Sequence, residues 1–258
     1  MKSTQRVRWE LFAAMFVIGL MAGPARAIVV VYDLRLDFSD TNNPNGAWAY
    51  HKGTNLLSHF SPVPQPTLAA AVANGYWGDT SSSLNSSIMK TTANGSSTGL
   101  WSNNDFLAGD VLVRTTDPST GGAVIVTWTA PSSGTFTYSG DIWFAGAPTG
   151  PGSNDFTLTL NAGPALEAGT AGLGQDETNP VVMVNGLTPT SVNPGDVLAL
   201  QLSPSIGMPF GSLAGAGLVV DFVPAPEPSS LLLGLSGIIG SIAWWMRRSM
   251  WSRRAAEL

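Results

Sequence analysis

Apolar and polar residues alternate along the middle of this chain. Over 123–130, Val124, Val126, Trp128 and Ala130 fall on one face. Over 134–146, Phe136, Tyr138, Ile142 and Phe144 fall on one face and Thr135, Thr137, Ser139, Asp141 and Trp143 on the other. Phe156, Leu158 and Leu160 alternate with threonines, and Leu198, Leu200 and Leu202 alternate after the turn Asn193-Pro-Gly-Asp196. Leu218, Val220 and Phe222 form a last run, and 181–184 is a short apolar run that reads as buried. A period of two is the signature of strands with one buried face. Earlier strand candidates are 28–38, 47–51 and 110–115. Pro131-Ser-Ser-Gly134 joins two of the runs and predicts a hairpin. Ser, Asn, Thr and Gly dominate 71–102, which reads as a long loop or irregular insertion.

That gives roughly nine strands separated by Gly, Pro and Asn turns, with no sustained helical period between the two ends. The predicted fold is all-β: an antiparallel two-sheet sandwich, jelly-roll-like, spanning 28–223. An N-terminal signal helix and a C-terminal transmembrane helix flank it.

The ends break the pattern. Lys2, Arg6 and Arg8 precede the uncharged apolar run 11–23, and Pro24-Ala25-Arg26-Ala27 follows. This is the order of a secretory signal peptide, with cleavage after Ala27 and small residues at Ala25 and Ala27. At the other end, Val223-Pro-Ala-Pro-Glu-Pro228 stops strand and helix alike. Residues 229–246 then carry no charge. As a helix they would be about 27 Å long, close to the ~30 Å hydrocarbon layer. Trp244 and Trp245 suit the headgroup layer, and Arg247, Arg248, Arg253 and Arg254 would stay in the cytoplasm. The middle of the chain would therefore lie outside.

Charge supports the same division. Between Ile28 and Pro226 there are four bases and fourteen acids, a net charge near −10. Such a surface repels phosphate backbones, which excludes nucleic acid as a partner. Charged residues are 11% of the chain, against a usual ~25%. The absence of cysteine excludes disulfides, thiolate metal sites and cysteine nucleophiles.

Pro226-Glu227-Pro228, a Gly-containing apolar helix and a terminal arginine cluster resemble the PEP-CTERM sorting segment, here 224–254. The resemblance implies recognition by an exosortase, a membrane protease or transpeptidase of Gram-negative bacteria. Pro226, Glu227, Pro228, Arg247 and Arg248 would be the sorting residues. It also implies an extracellular matrix or biofilm setting, since hosts of this family usually make exopolysaccharide. The tail 249–258 is longer than the family's usual few arginines and contains Glu257. The middle resembles jelly-roll domains that precede such tails. Asp37-Phe-Ser39 with 43–50 is similar to their opening segment, Val126 to Pro131 to their central hairpin, and 193–196 to a later turn. This implies a carbohydrate-binding-like fold.

Candidate chemistry is sparse. His51 and His59 match no metal-ligand spacing, and no Gly-x-Ser-x-Gly elbow surrounds a serine. Asp105, Asp110, Asp141 and Asp155 are the acids available for a glycosidase pair, which needs two carboxyls some 5–10 Å apart. Nothing in the sequence pairs them. Trp143 shares its face with hydroxyls and Asp141, which makes it a candidate to stack on a sugar ring, although packing beneath a loop is the favoured reading. Trp48 and Tyr50 alternate on one face and form a second candidate platform, whereas Trp128 shares a face with valines and reads as core. Oxygen-rich stretches 37–45, 103–105 and 176–177 suit structural calcium, though no EF-hand loop is present. The resulting expectation is a non-enzymatic, exported, glycan-binding module. The alternatives are a purely structural matrix protein and a secreted glycoside hydrolase.

Overall fold

The computed structural model describes residues 28–61, 75–79, 86–95, 105–116, 122–146, 152–184, 188–207 and 212–225, with positions 239 and 242. The chain divides into two units. One is Val29–Pro224; the other comprises the two chain ends and lies almost wholly outside the described residues. The expected signal-cleavage residues Ala25 and Ala27 and sorting residues Pro226, Glu227, Pro228, Arg247 and Arg248 lie outside them too. Within the expected span 229–246 only Ile239 and Ile242 are described, and both are helical. No helix among the described residues is long and apolar enough to cross a membrane.

The sandwich unit contains fifteen described strands: β1 (Val30–Asp33), β2 (Trp48–Lys52), β3 (Asn55–Leu56), β4 (Ser58–Phe60), β5 (Tyr76–Gly78), β6 (Ser87–Lys90), β7 (Val111–Arg114), β8 (Val124–Thr129), β9 (Gly134–Phe144), β10 (Ser153–Leu160), β11 (Ala165–Gly172), β12 (Val181–Val184), β13 (Thr190–Val192), β14 (Val197–Pro204) and β15 (Leu213–Pro224). One helical turn, α1 (Leu34–Asp37), follows β1. The strands form two antiparallel sheets, as the alternation predicts. The larger runs β12-β9-β15-β7-β6-β5-β4, with β1 also on β15 and β13 also on β9. The smaller runs β11-β10-β14-β8-β2-β3.

The alternating residues meet between the sheets. Val124, Val126 and Trp128 of β8, Leu198, Leu200 and Leu202 of β14, and Phe136 and Ile142 of β9 are all buried in one core. Trp128 is its centre, with ring centroids 5.6 Å from Tyr32, 5.6 Å from Phe136 and 5.7 Å from Phe222. A second cluster lies on the opposite face of the larger sheet: Tyr76, Met89, Phe106, Leu112, Trp143, Ala145 and Leu213. Strands β5, β6, β7, β9 and β15 therefore have apolar residues on both faces near this second cluster, which is why strict alternation fails there.

Several expectations are corrected. Residues 28–38 are not one strand. The Asp33 carboxylate accepts from the N–H groups of Arg35 (2.8 Å) and Leu36 (3.3 Å), and this cap turns the chain into α1. The 131–133 turn does not close a hairpin. β8 pairs with β14 and β2, while β9 pairs with β15, β12 and β13, so the turn carries the chain from one sheet to the other. Gly134 permits the crossing: a Cβ there would sit 2.4 Å from the Val223 carbonyl oxygen and 2.7 Å from Phe222 Cε2. The 71–102 stretch is not merely a loop, because it supplies β5 and β6, both largely buried. Val181–Val184 is an edge strand, with Val182 and Val184 exposed and only Met183 buried.

Candidate functional site

The outer face of the larger sheet is where Trp143 and Asp141 sit. Two glycines of β15 lie beside them in register, Gly215 opposite Trp143 and Gly217 opposite Asp141. A Cβ on Gly215 would lie 1.9 Å from Trp143 Cε2, and one on Gly217 would lie 2.0 Å from Asp141 Oδ1. The missing side chains form a trough into which the indole and the carboxylate lean. Arg35 of α1 closes it. Its guanidinium lies 5.1 Å from the Trp143 ring centroid, and its Nη2 is 3.0 Å from each Asp141 carboxylate oxygen. Its Nε is 3.6 Å from Asp110 Oδ1. Lys90 holds α1 from below by donating to the Arg35 carbonyl. The Trp143 Nε1–H donates to the Asp105 carbonyl at 2.8 Å, and the Asp105 carboxylate accepts from the Glu177 amide.

Trp143 is thus fully buried and is corrected from an open sugar platform to a core residue. The reason lies in the length of β9. Its Ser139 end stays open, whereas its Trp143 end is covered by α1 and the 105–110 segment. Trp48 and Tyr50 are corrected in the same way. Both face the inter-sheet core, where Tyr50 stacks on Phe38 (5.0 Å, 22°) and Trp48 donates to Asp37 Oδ2 at 3.1 Å. Burial pushes the Tyr50 hydroxyl well above its usual pKa. No Phe, Tyr or Trp ring is exposed among the described residues.

The candidate acids are brought together in part. Asp110 and Asp141 share Arg35, Asp105 lies next to them through Trp143, and Asp155 belongs to the smaller sheet. A glycosidase pair needs room between its carboxyls for a water or a glycosidic oxygen. Here the guanidinium occupies the space between Asp110 and Asp141. Glu177, which the sequence did not single out as an acid for this purpose, has its carboxyl raised by burial and then by Asp110 and Asp105. Among the described residues no group of three or more His, Asp and Glu side chains is arranged to hold a metal. Asp176, within one of the oxygen-rich stretches, instead closes a turn by accepting from Thr178 N (3.0 Å) and Asn179 N (2.8 Å).

The outer face of the smaller sheet is the opposite in character. Register places Thr157, Gln201, Ile125 and His51 in one cross-strand row. Thr159, Ala199, Thr127 and Ala49 form the next, and Thr170, Asp155 and Ser203 a third. These side chains are half-exposed or exposed, and among the described residues no second core covers them. The hydroxyls are already organised. Thr170 and Ser205 donate to Asp155 Oδ1 at 2.6 and 2.7 Å, and Thr127 Oγ1 lies 3.3 Å from His51 Nε2. Partial burial lowers the His51 pKa, so the ring is neutral at neutral pH. Asp155 is then the only formal charge in these rows, on a domain whose net charge is near −10.

Sequence reasoning missed both Arg35 and this face. Arg35 is one of only four bases between the ends, and Ala-Gly-Ala-Gly in β15 places two side-chainless positions on one face. Together these hinted at a covered trough. The face was written in the polar half of each alternating run, Thr127, Thr157, Thr159 and Gln201. The aromatic residues drew attention away from it.

No family model matches the chain, and no curated protein matches it. Solved structures give partial likenesses. A tandem CBM22 domain from Paenibacillus barcinonensis is 11% identical over 80% of this chain and 49% of its own, with a TM-score of 0.36. A family 35 carbohydrate binding module from Clostridium thermocellum is 15% identical over 52% and 86%, with a TM-score of 0.28. A ruminal GH26 endo-β-1,4-mannanase is 10% identical over 44% and 19%, with a TM-score of 0.23. The chain therefore spans about a fifth of the mannanase and half of the tandem domain. At these scores the likenesses carry no argument about ligand or activity.

Proposed function

We propose that the chain is an exported, exosortase-sorted protein of the bacterial surface or extracellular matrix. In this reading its β-sandwich holds extracellular polysaccharide on the outer face of the smaller sheet. One observation carries the binding reading. Of the two outer faces, one is closed by a second apolar cluster and its covering segments, and the other presents rows of Thr, Ser and Gln hydroxyls and amides with almost no charge. Sugar hydroxyls are matched by such groups through hydrogen bonds. Every described Phe, Tyr and Trp ring is buried or half-buried, so this reading rests on hydrogen bonds. The sorting reading is supported by the Pro226-Glu227-Pro228 motif, the uncharged run and the arginines alone.

Two measurements test these parts separately. Retention of the chain by exopolysaccharide should fall when Thr127, Thr157 and Gln201 are replaced together by lysine, with little change in melting temperature. Unchanged retention removes the binding face and leaves a purely structural matrix protein. Fractionation with and without the exosortase, with mass spectrometry of the mature C terminus, should show a cut near Pro226-Glu227-Pro228. An uncut chain in both strains ends the sorting reading.

A further inference from the structure

The two ends of the sandwich unit emerge side by side. β1 pairs antiparallel with the end of β15, Val30 opposite Phe222 and Asp33 opposite Val219. β15 ends at Pro224, opposite Gly134. Strand spacing puts Val30 within about 10 Å of Pro224. This same pole carries an apolar run with no cover. Ile28 is 71% exposed, Val29 55%, Val30 37% and Val31 58%. Other large apolar side chains, Val182, Val184 and Ile206 among them, are exposed singly, but these four β-branched aliphatic residues are consecutive and form a patch that calls for a covering surface.

Chain length says what covers them. Only residues 225–228 separate Pro224 from the uncharged run that begins at Ser229. Three prolines lie between 224 and 228, and at the ~3.1 Å rise of a proline-rich chain five residue steps would span about 15 Å. The headgroup layer itself is roughly 5–7 Å thick on each side. With the run from Ser229 in the bilayer, a tether of that length would let the pole carrying Val29–Val31 reach the lipid surface. The short tether also gives the patch a high effective concentration there, so a weak apolar contact suffices.

We propose that Val29–Val31 form a second, domain-borne membrane contact that rests on the lipid headgroup layer while the chain is anchored. It is lost when the chain is cut near Pro226-Glu227-Pro228. The proposal rests on the anchored reading given above. It adds a lipid surface as a partner of the sandwich itself. Cleavage then frees the domain from two contacts at once.

The chain has no cysteine, so single-cysteine variants report cleanly. The full chain, taken from membranes after signal-peptidase cleavage and checked by mass, is reconstituted into phosphatidylcholine vesicles carrying a nitroxide-labelled phospholipid. An environment-sensitive dye is attached in turn to Val29→Cys, Val31→Cys, Ile206→Cys and Ile239→Cys. Ile206 is 99% exposed and follows β14, at the end of the smaller sheet away from the 193–196 turn. Dyes at 29 and 31 should shift to the blue and be quenched by the lipid nitroxide, and the dye at 206 should stay solvent-like. If 239 is quenched but 29 and 31 behave like 206, the contact does not exist. A blue shift at 29 and 31 without lipid quenching places protein over the patch and also overturns it. If 239 itself is not quenched, the anchored reading fails and the contact falls with it. Equal quenching at 206 means non-specific adsorption and refutes the pole assignment.

Discussion

Gly215→Ala is the sharpest perturbation of this molecule. The new Cβ would lie 1.9 Å from Trp143 Cε2, 2.0 Å from Cζ2 and 2.4 Å from Cδ2. Ordinary carbon contacts are ~3.5–4.0 Å, so the indole must move by more than about 1 Å. It has nowhere to go. Tyr76, Met89, Phe106, Leu112 and Leu213 pack the second cluster, and Arg35 lies over the ring. Overpacking of this kind costs about 1–3 kcal/mol. Displacing Nε1 from the Asp105 carbonyl adds about 1 kcal/mol. The total is about 3 kcal/mol, and for a unit of about 200 residues the melting temperature should fall by roughly 6–12 °C.

A double-mutant cycle makes the reasoning refutable. Trp143→Ala alone should cost about 3–5 kcal/mol through the cavity it leaves. In that background the alanine at 215 enters vacated space, so Gly215→Ala should cost little, with a favourable coupling of about 2–3 kcal/mol. Near-ultraviolet circular dichroism during thermal melts reads both the stability and the indole environment. Additive effects, or a Gly215→Ala protein that melts within about 1 °C of the parent, would show that the indole does not occupy the trough.

Other outcomes follow from single contacts. Arg35→Leu leaves buried Asp110 and half-buried Asp141 without their cation; a buried pair broken this way costs ~3–5 kcal/mol, but Arg35 and Asp141 are each about one-third exposed. Solvent screening reduces the expected loss to about 1–2 kcal/mol, and adding Asp110→Asn should recover part of it in chemical denaturation. Asn43→Ala removes a side chain that donates to the Tyr50 and Leu57 carbonyls at 2.9 and 3.0 Å and accepts from Tyr50 N at 2.9 Å. It should cost about 2–3 kcal/mol by urea unfolding, and Asn43→Asp should not rescue it because both donors are lost. His51 has its pKa lowered below 6.5 by burial, so the unfolded state binds its proton first. Its contribution to stability is full above pH 6.5 and is lost as pH falls through the lower folded value. His51→Gln should flatten the stability profile below pH 6.5, and an unchanged profile would contradict the assignment.

The alternating runs were legible because their two faces have different solvents. β8, β10 and β14 bury one row and expose the other along their whole length, so Val124, Val126, Leu158 and Leu200 announced the core directly. Strand pairing was less legible. The Pro131–Gly134 turn has hairpin residues, yet Gly134 lets β9 start beneath Phe222 in the other sheet, a fact set by distant residues. Short strands such as β5 and β6 were hidden in serine-rich sequence because three or four residues cannot display a period. Trp143 was left between an open and a packed reading for a related reason. The polar residues on its face described the Ser139 end of β9, and the cover over the Trp143 end comes from α1 and 105–110, more than thirty residues upstream. The open face of Thr127, Thr157 and Gln201 was present in the pattern all along, as the half of each alternation that did not enter the core.

No Phe, Tyr or Trp lies in the described rows of this face, and that decides how it could work. A hydrogen bond to a sugar hydroxyl replaces one to water, so each contributes only about 0.5–1.5 kcal/mol net. Four or five such contacts give about 2–7 kcal/mol, before an association cost of about 4 kcal/mol or more. A single domain would therefore hold a glycan with a dissociation constant of about 1 mM or weaker. Retention would need many copies on one polymer, where each further contact is intramolecular. The proposed display on a surface would provide that, since a polymer grips many weak faces where it would slip from one. The proposed surface sorting and a face without Phe, Tyr or Trp would thus make sense together: a domain that binds weakly alone becomes effective only where it is concentrated. Micromolar binding by one isolated chain would break this link.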